Sequence, residues 1–90
     1  MITIHLPAIL ATEFRMDTAQ RVEAQTCEEA FASLDLRHPG MSSWIMEPDG
    51  RFREHLSVFV SGRRLAPRTH ASVSVKDGSE VWILHAISGG

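Results

Sequence analysis

Ninety residues, 43% of them apolar, supply one hydrophobic core and leave no room for a second domain. A net charge of −2 and a pI near 6.2 give none of the concentrated basic charge that nucleic acid or an anionic membrane requires, so neither partner is expected. Cys27 is the single cysteine, which excludes an internal disulfide, a Cys-x-x-Cys redox pair and a cysteine cage for zinc or iron–sulfur.

The opening Met1-Ile2-Thr3-Ile4-His5-Leu6-Pro7 lacks a basic leader, and no apolar run reaches membrane-spanning length; a cytoplasmic protein is expected. Ile2, Ile4 and Leu6 alternate with Thr3 and His5, the period-2 pattern of a strand with one buried face, and Pro7 ends it. Pro7 to Phe14 reads as a loop. Asp17 to Ala24 alternates more weakly and reads as an edge strand.

Thr26-Cys27-Glu28-Glu29 is a capping box, with the Thr26 hydroxyl expected on the Glu29 amide and the Glu29 side chain on the Thr26 amide. Cys27, Ala30, Phe31 and Leu34 then form one apolar stripe on a helix that His38-Pro39-Gly40 terminates. Cys27 is therefore read as core and not as a nucleophile. Met41 to Glu54 mixes apolar Trp44, Ile45 and Met46 with a Pro48-Asp49-Gly50 turn, and reads as a short helical turn followed by a loop.

Leu56, Val58 and Val60 alternate with Ser57 and Phe59, and Ser61-Gly62 can turn that strand into a short partner at Arg63-Arg64-Leu65. Pro67 to Ser74 is a polar connection, and Lys76-Asp77-Gly78-Ser79 is a turn launching a last, very apolar strand from Glu80. Strand, strand, helix, strand, short strand, strand is an α+β, β-grasp order: a mixed sheet of four to five strands with one main helix packed on one face. A right-handed crossover through the helix would lay the first and last strands parallel at the centre.

The last strand passes into Ala86-Ile87-Ser88-Gly89-Gly90. Two glycines at the final positions arise by chance in on the order of 0.5% of chains, and a Gly-Gly end is thin enough to enter a channel closed to other residue pairs. Its carboxylate could be activated by joining to AMP, after which sulfide, a thiol or an amine can attack the acyl carbon. The competing reading is a frayed terminus without function, or an expression remnant. The expected organisation is a β-grasp domain over 1–86 and a flexible tail over 87–90.

If Val81 and Ile83 face the helix, Trp82 and Leu84 face the other way, beside Phe59. That apolar patch near the tail is a docking surface for a protein, unless the segment from Met41 to Glu54 folds back over it. His5, His38, His55, His70 and His85 show no ligand spacing, so no metal site is expected; His5 and His85 could be neighbours if the outer-sequence strands pair. Arg51, Arg53, Arg63, Arg64 and Arg68 form a basic stretch that reads as a solvated face, or as a match for an acidic groove on a partner.

The element order, His38-Pro39-Gly40 after the helix, Val58-Phe59-Val60-Ser61-Gly62, Asp77-Gly78-Ser79-Glu80-Val81 and the diglycine tail together resemble the ubiquitin-like sulfur carriers. The resemblance is strongest to the molybdopterin-synthase small subunit (MoaD) and its ThiS-like relatives, which include carriers for thiamine and cysteine synthesis. It implies a protein co-substrate and not an enzyme. Gly90 would be adenylated by an E1-like adenylyltransferase using ATP and Mg²⁺, with Gly89 as its slender lead-in, and then converted to a thiocarboxylate by a sulfur donor of desulfurase or rhodanese type. A sulfur-accepting synthase would consume it, and Phe59, Trp82, Leu84, Ile87 and Ser88 would meet the partners. The molybdenum-cofactor branch is the one expected. Ser79 in place of a common acidic residue, His85 in place of a common proline, and the irregular segment 41–54 depart from the family pattern. Two rivals stay open: a ubiquitin-like modifier joined through Gly90 to a lysine, and an interaction module whose diglycine is inert.

Overall fold

The computed structural model describes residues 1–85, so Ile87, Ser88, Gly89 and Gly90 of the expected tail lie outside the described residues. Five strands, β1 (Ile2–His5), β2 (Ala19–Val22), β3 (Leu56–Val60), β4 (Arg63–Arg64) and β5 (Glu80–His85), form one sheet in the order β2-β1-β5-β3-β4. β1 and β5 are parallel at its middle, and every other pairing is antiparallel. The main helix, α2 (Cys27–Arg37), is the crossover that makes the parallel pair possible. This is the β-grasp arrangement expected from the element order.

The helix forms where the capping signal places it. The Thr26 hydroxyl accepts from the Glu29 amide at 3.1 Å, but the Glu29 carboxylate accepts from the Gln25 amide at 2.9 Å, one residue earlier than expected. The first turn is also served from outside: the Cys27 and Glu28 amides donate to the Val73 and Ala71 carbonyls, so the 67–74 connection satisfies donors that a helix start leaves unpaired. At the other end His38 caps the helix and Gly40 takes φ +96°. There Asp35 accepts from the Gly40 amide and from the Ser42 amide and hydroxyl, at 2.8–3.1 Å. Those Ser42 bonds hold its carboxyl below the usual range.

Residues 7–14 are not the expected loop. They contain a helix, α1 (Ala8–Glu13), started by Pro7, whose carbonyl accepts from the Leu10 and Ala11 amides. It ends in a Schellman turn, with Arg15 at φ +53°, Arg15 N–H on the Thr12 carbonyl and Met16 N–H on the Ala11 carbonyl. Six residues are too few to display a helical period, and burial of Leu10 and Ala11 is what holds the turn in place.

One core fills the space between the sheet and α2: Ile2 and Ile4 of β1, Val81 and Ile83 of β5, Leu56 and Val58 of β3, and Cys27, Ala30, Phe31 and Leu34 of the helix. The irregular segment joins that same core. Met41, which precedes the short α3 (Ser42–Ile45), Ile45 within it, and Phe52 are buried, with the Phe52 ring edge-on to Phe31 at 6.1 Å. The segment therefore packs on the helical side, and among the described residues none covers Trp82 and Leu84 on the far face of the sheet, which remain exposed. Ser61 and Gly62, at φ +52° and +81°, make the tight turn that closes β3 onto β4.

Two outcomes follow from this packing. Phe31→Ala and Ile83→Ala should each lower stability by about 2–5 kcal/mol in urea titrations, as large-to-small changes at fully buried positions. Asp35→Ala should destabilise at neutral pH. Because the folded state depresses the Asp35 pKa below its ordinary 3.8, the wild-type advantage should be full above that pH and fade as pH falls below it.

Candidate functional site

Alternation along β5 divides its side chains between two environments. Val81 and Ile83 are buried in the core, whereas Trp82 and Leu84 are 43% and 42% exposed on the opposite face. Phe59 lies directly across from Trp82 in the β3–β5 register and is half-buried. The three apolar residues expected on one open face are therefore together there. Ile87, Ser88, Gly89 and Gly90, the other expected site residues, lie outside the described residues.

The register extends this patch into a row that crosses four strands: His5, Trp82, Phe59 and Arg64 are successive partners on β1, β5, β3 and β4. His5 stacks flat on the Trp82 indole, with ring centroids 3.7 Å apart and planes 10° from parallel. Its Nε2 sits 2.6 Å from Oε1 of Glu80, which projects from β5 on the same face two residues before Trp82. The expected meeting of His5 and His85 does not occur. His85 is opposite Leu56 and stacks against His55 at 5.5 Å, because the parallel register aligns His5 with Trp82, and an offset of three residues turns the side chain to the other face. His5 and Glu80 are thus members of the site that sequence patterning missed; only the register of a non-local strand pair brings them together.

Other candidate chemistry is absent or already engaged. Burial pushes the Cys27 thiol up to about 11, so it is neutral and inert at physiological pH. Among the described residues no group of three or more His, Cys, Asp or Glu side chains is placed to hold a metal ion, and no helix is long and apolar enough to cross a membrane. Of the arginines, Arg68 pairs with Glu47 at 2.7 Å, Arg53 donates to the Ser43 carbonyl and Arg51 to the Arg68 carbonyl, so these three brace the 41–70 region. An open groove of about 500 Å³ is lined by Met1, Glu23, Gln25, Glu29 and Asp77, near the start of β5. The open sheet face, continuous with the strand leading to Gly90, is the stronger site. On this geometry Trp82→Ala and Leu84→Ala should each cost about 1–2 kcal/mol in urea melts, clearly less than Ile83→Ala, since each side chain already keeps much of its surface in water.

Comparison with known proteins agrees with this architecture. The chain is 22% identical over 91 residues to the sulfur carrier protein CysO of Mycobacterium tuberculosis, covering 99% of this chain and 98% of that protein. Its fold superposes on a chain of the Amycolatopsis orientalis BexX/CysO complex with a TM-score of 0.85 at 23% identity, covering 100% of both chains. It also matches small archaeal modifier protein 1 of Haloferax volcanii with a TM-score of 0.73 at 25% identity, covering 99% of this chain and 98% of that one. The sequence model of the ThiS family matches residues 4–90, from β1 through the diglycine. The chain belongs to the ThiS family of ubiquitin-like sulfur carriers.

Proposed function

We propose that this protein is a co-substrate that carries sulfur as a thiocarboxylate on Gly90. The observation that carries this reading is the family match over 4–90, which takes in Gly89 and Gly90, on a fold whose central strand β5 ends five residues before Gly90 in the sequence. The Gly90 carboxylate would attack the α-phosphorus of ATP, bound with Mg²⁺ by an E1-like adenylyltransferase, releasing pyrophosphate. Sulfide from a desulfurase or rhodanese-type donor would then displace AMP, and the resulting anion would hand its sulfur to an acceptor synthase. At neutral pH a thiocarboxylate is ionised and nucleophilic, so sulfur stays bound yet reactive.

The fold supplies what such a substrate needs. β5 is clamped between β1 and β3, so its end is a fixed point from which only five residues, at most about 17 Å of chain, reach Gly90. An enzyme that takes Gly90 into its active site must therefore sit close to the face bearing Trp82, Leu84 and Phe59. These residues, with Ile87 and Ser88, are proposed as the contacts to the adenylyltransferase. The acceptor is the least determined partner. The curated relative reported above is a CysO carrier and not a molybdopterin-synthase subunit, which favours a carrier of CysO type over the molybdenum-cofactor branch.

A second reading has one observation in its favour, the likeness to an archaeal modifier protein. There the same adenylated Gly90 would be attacked by a lysine amine instead of sulfide. The two are separated by incubating the protein with the adenylyltransferase of its own genome, ATP, Mg²⁺ and a sulfur donor, followed by intact-mass analysis. The expected result is a mass gain equal to sulfur replacing one oxygen, reversed by alkaline hydrolysis and absent when Gly90 is deleted. Lysine adducts without that gain would assign the protein as a modifier, and no change at all would leave it an interaction module.

A further inference from the structure

We propose that His5, held by Glu80, is a positioning residue that presents the Trp82 indole as a rigid anchor to the adenylating partner, a role that rests on the carrier reading above. An exposed indole on a bare strand face samples several rotamers, and freezing such a side chain on binding costs roughly two- to tenfold in affinity. Trp82 is not bare. The imidazole of His5 covers one side at 3.7 Å and 10°, and Phe59 is its cross-strand partner in the β3–β5 register, while Trp82 remains 43% exposed.

Glu80 makes the arrangement directional. Its Oε1 accepts from Nε2 of His5 at 2.6 Å, which fixes the plane of the imidazole and hence the plane against which the indole lies. Glu80 and Trp82 share a strand and a face, so the bracket is built across β1 and β5, the pair at the centre of the sheet. His5 offers little surface of its own, its side chain being only 20% exposed against 58% for Glu80. It therefore acts through Trp82 and not by touching the partner.

The test uses the full-length chain as varied substrate for the adenylyltransferase of its own genome, read by pyrophosphate release with ATP and Mg²⁺. His5→Ala should raise KM for the chain two- to tenfold with kcat unchanged, and Glu80→Ala should shift KM the same way. His5→Phe, which keeps a flat ring beside the indole, should recover most of the loss. In a Trp82→Ala background His5→Ala should add nothing, because a positioning residue has no effect once its target is gone. In a Trp44→Phe background, which leaves Trp82 as the sole indole, His5→Ala should lower the fluorescence anisotropy of Trp82.

Unchanged KM in folded His5→Ala, or unchanged anisotropy, overturns the role, and additive losses with Trp82→Ala place His5 in direct contact instead. Should His5→Ala melt, Glu80→Ala and His5→Phe carry the same comparison. A wild-type chain that is never adenylated fails the carrier reading itself, and this role with it, before any variant is compared.

Discussion

Parallel pairing of β1 with β5 is the interaction on which the rest of the molecule depends. A parallel neighbour cannot be reached by a tight turn, so the chain between them must leave the sheet and return, and α2 is the only helix long enough to cover that crossing. Once β5 lies between β1 and β3, its inward residues Val81 and Ile83 are enclosed and its outward residues are set in line with those of three other strands. The same pairing that closes the core therefore also aligns the row from His5 to Arg64.

The two faces of the sheet are treated differently by the described residues. The described segments that could have covered the open face go elsewhere: Met41, Ile45 and Phe52 enter the helical side, and the 67–74 connection closes over the start of α2. The described residues leave Trp82 and Leu84 half-exposed on β5, the strand that precedes Gly90 in the sequence. On the proposed reading, an open apolar face is what a substrate of other proteins requires, because it must be recognised before its end is used.

On the proposed reading, stability and recognition fall to different residues of the same strand. Ile83 is enclosed by the core, whereas Trp82, one position away, stacks on His5 and lies opposite Phe59 in the strand register. A strand with period 2 separates these tasks without additional structure. Asp35 plays a comparable local role at the corner between α2 and α3, where one carboxylate oxygen gathers two amides and a hydroxyl and so fixes the direction in which the 41–54 segment departs.

Most of this fold was legible in the sequence because most of its signals are local. Alternation identified β1, β3 and β5, the Thr26–Glu29 box marked the start of α2, Ser61-Gly62 marked the hairpin, and the order of elements with the diglycine pointed to the family. What was not legible depends on distance through space. α1 is too short to show a period and is held by the core it meets; the Glu29 carboxylate chooses Gln25 over Thr26; and His5 meets Trp82 and not His85 because of one register among several that the alternating pattern allows. The residues on the open face could be assigned from parity alone, since parity is a property of a single strand. Their partners could be assigned only from the tertiary structure, because register is a relation between strands separated by seventy-five residues of chain, and it is set by how the whole core packs.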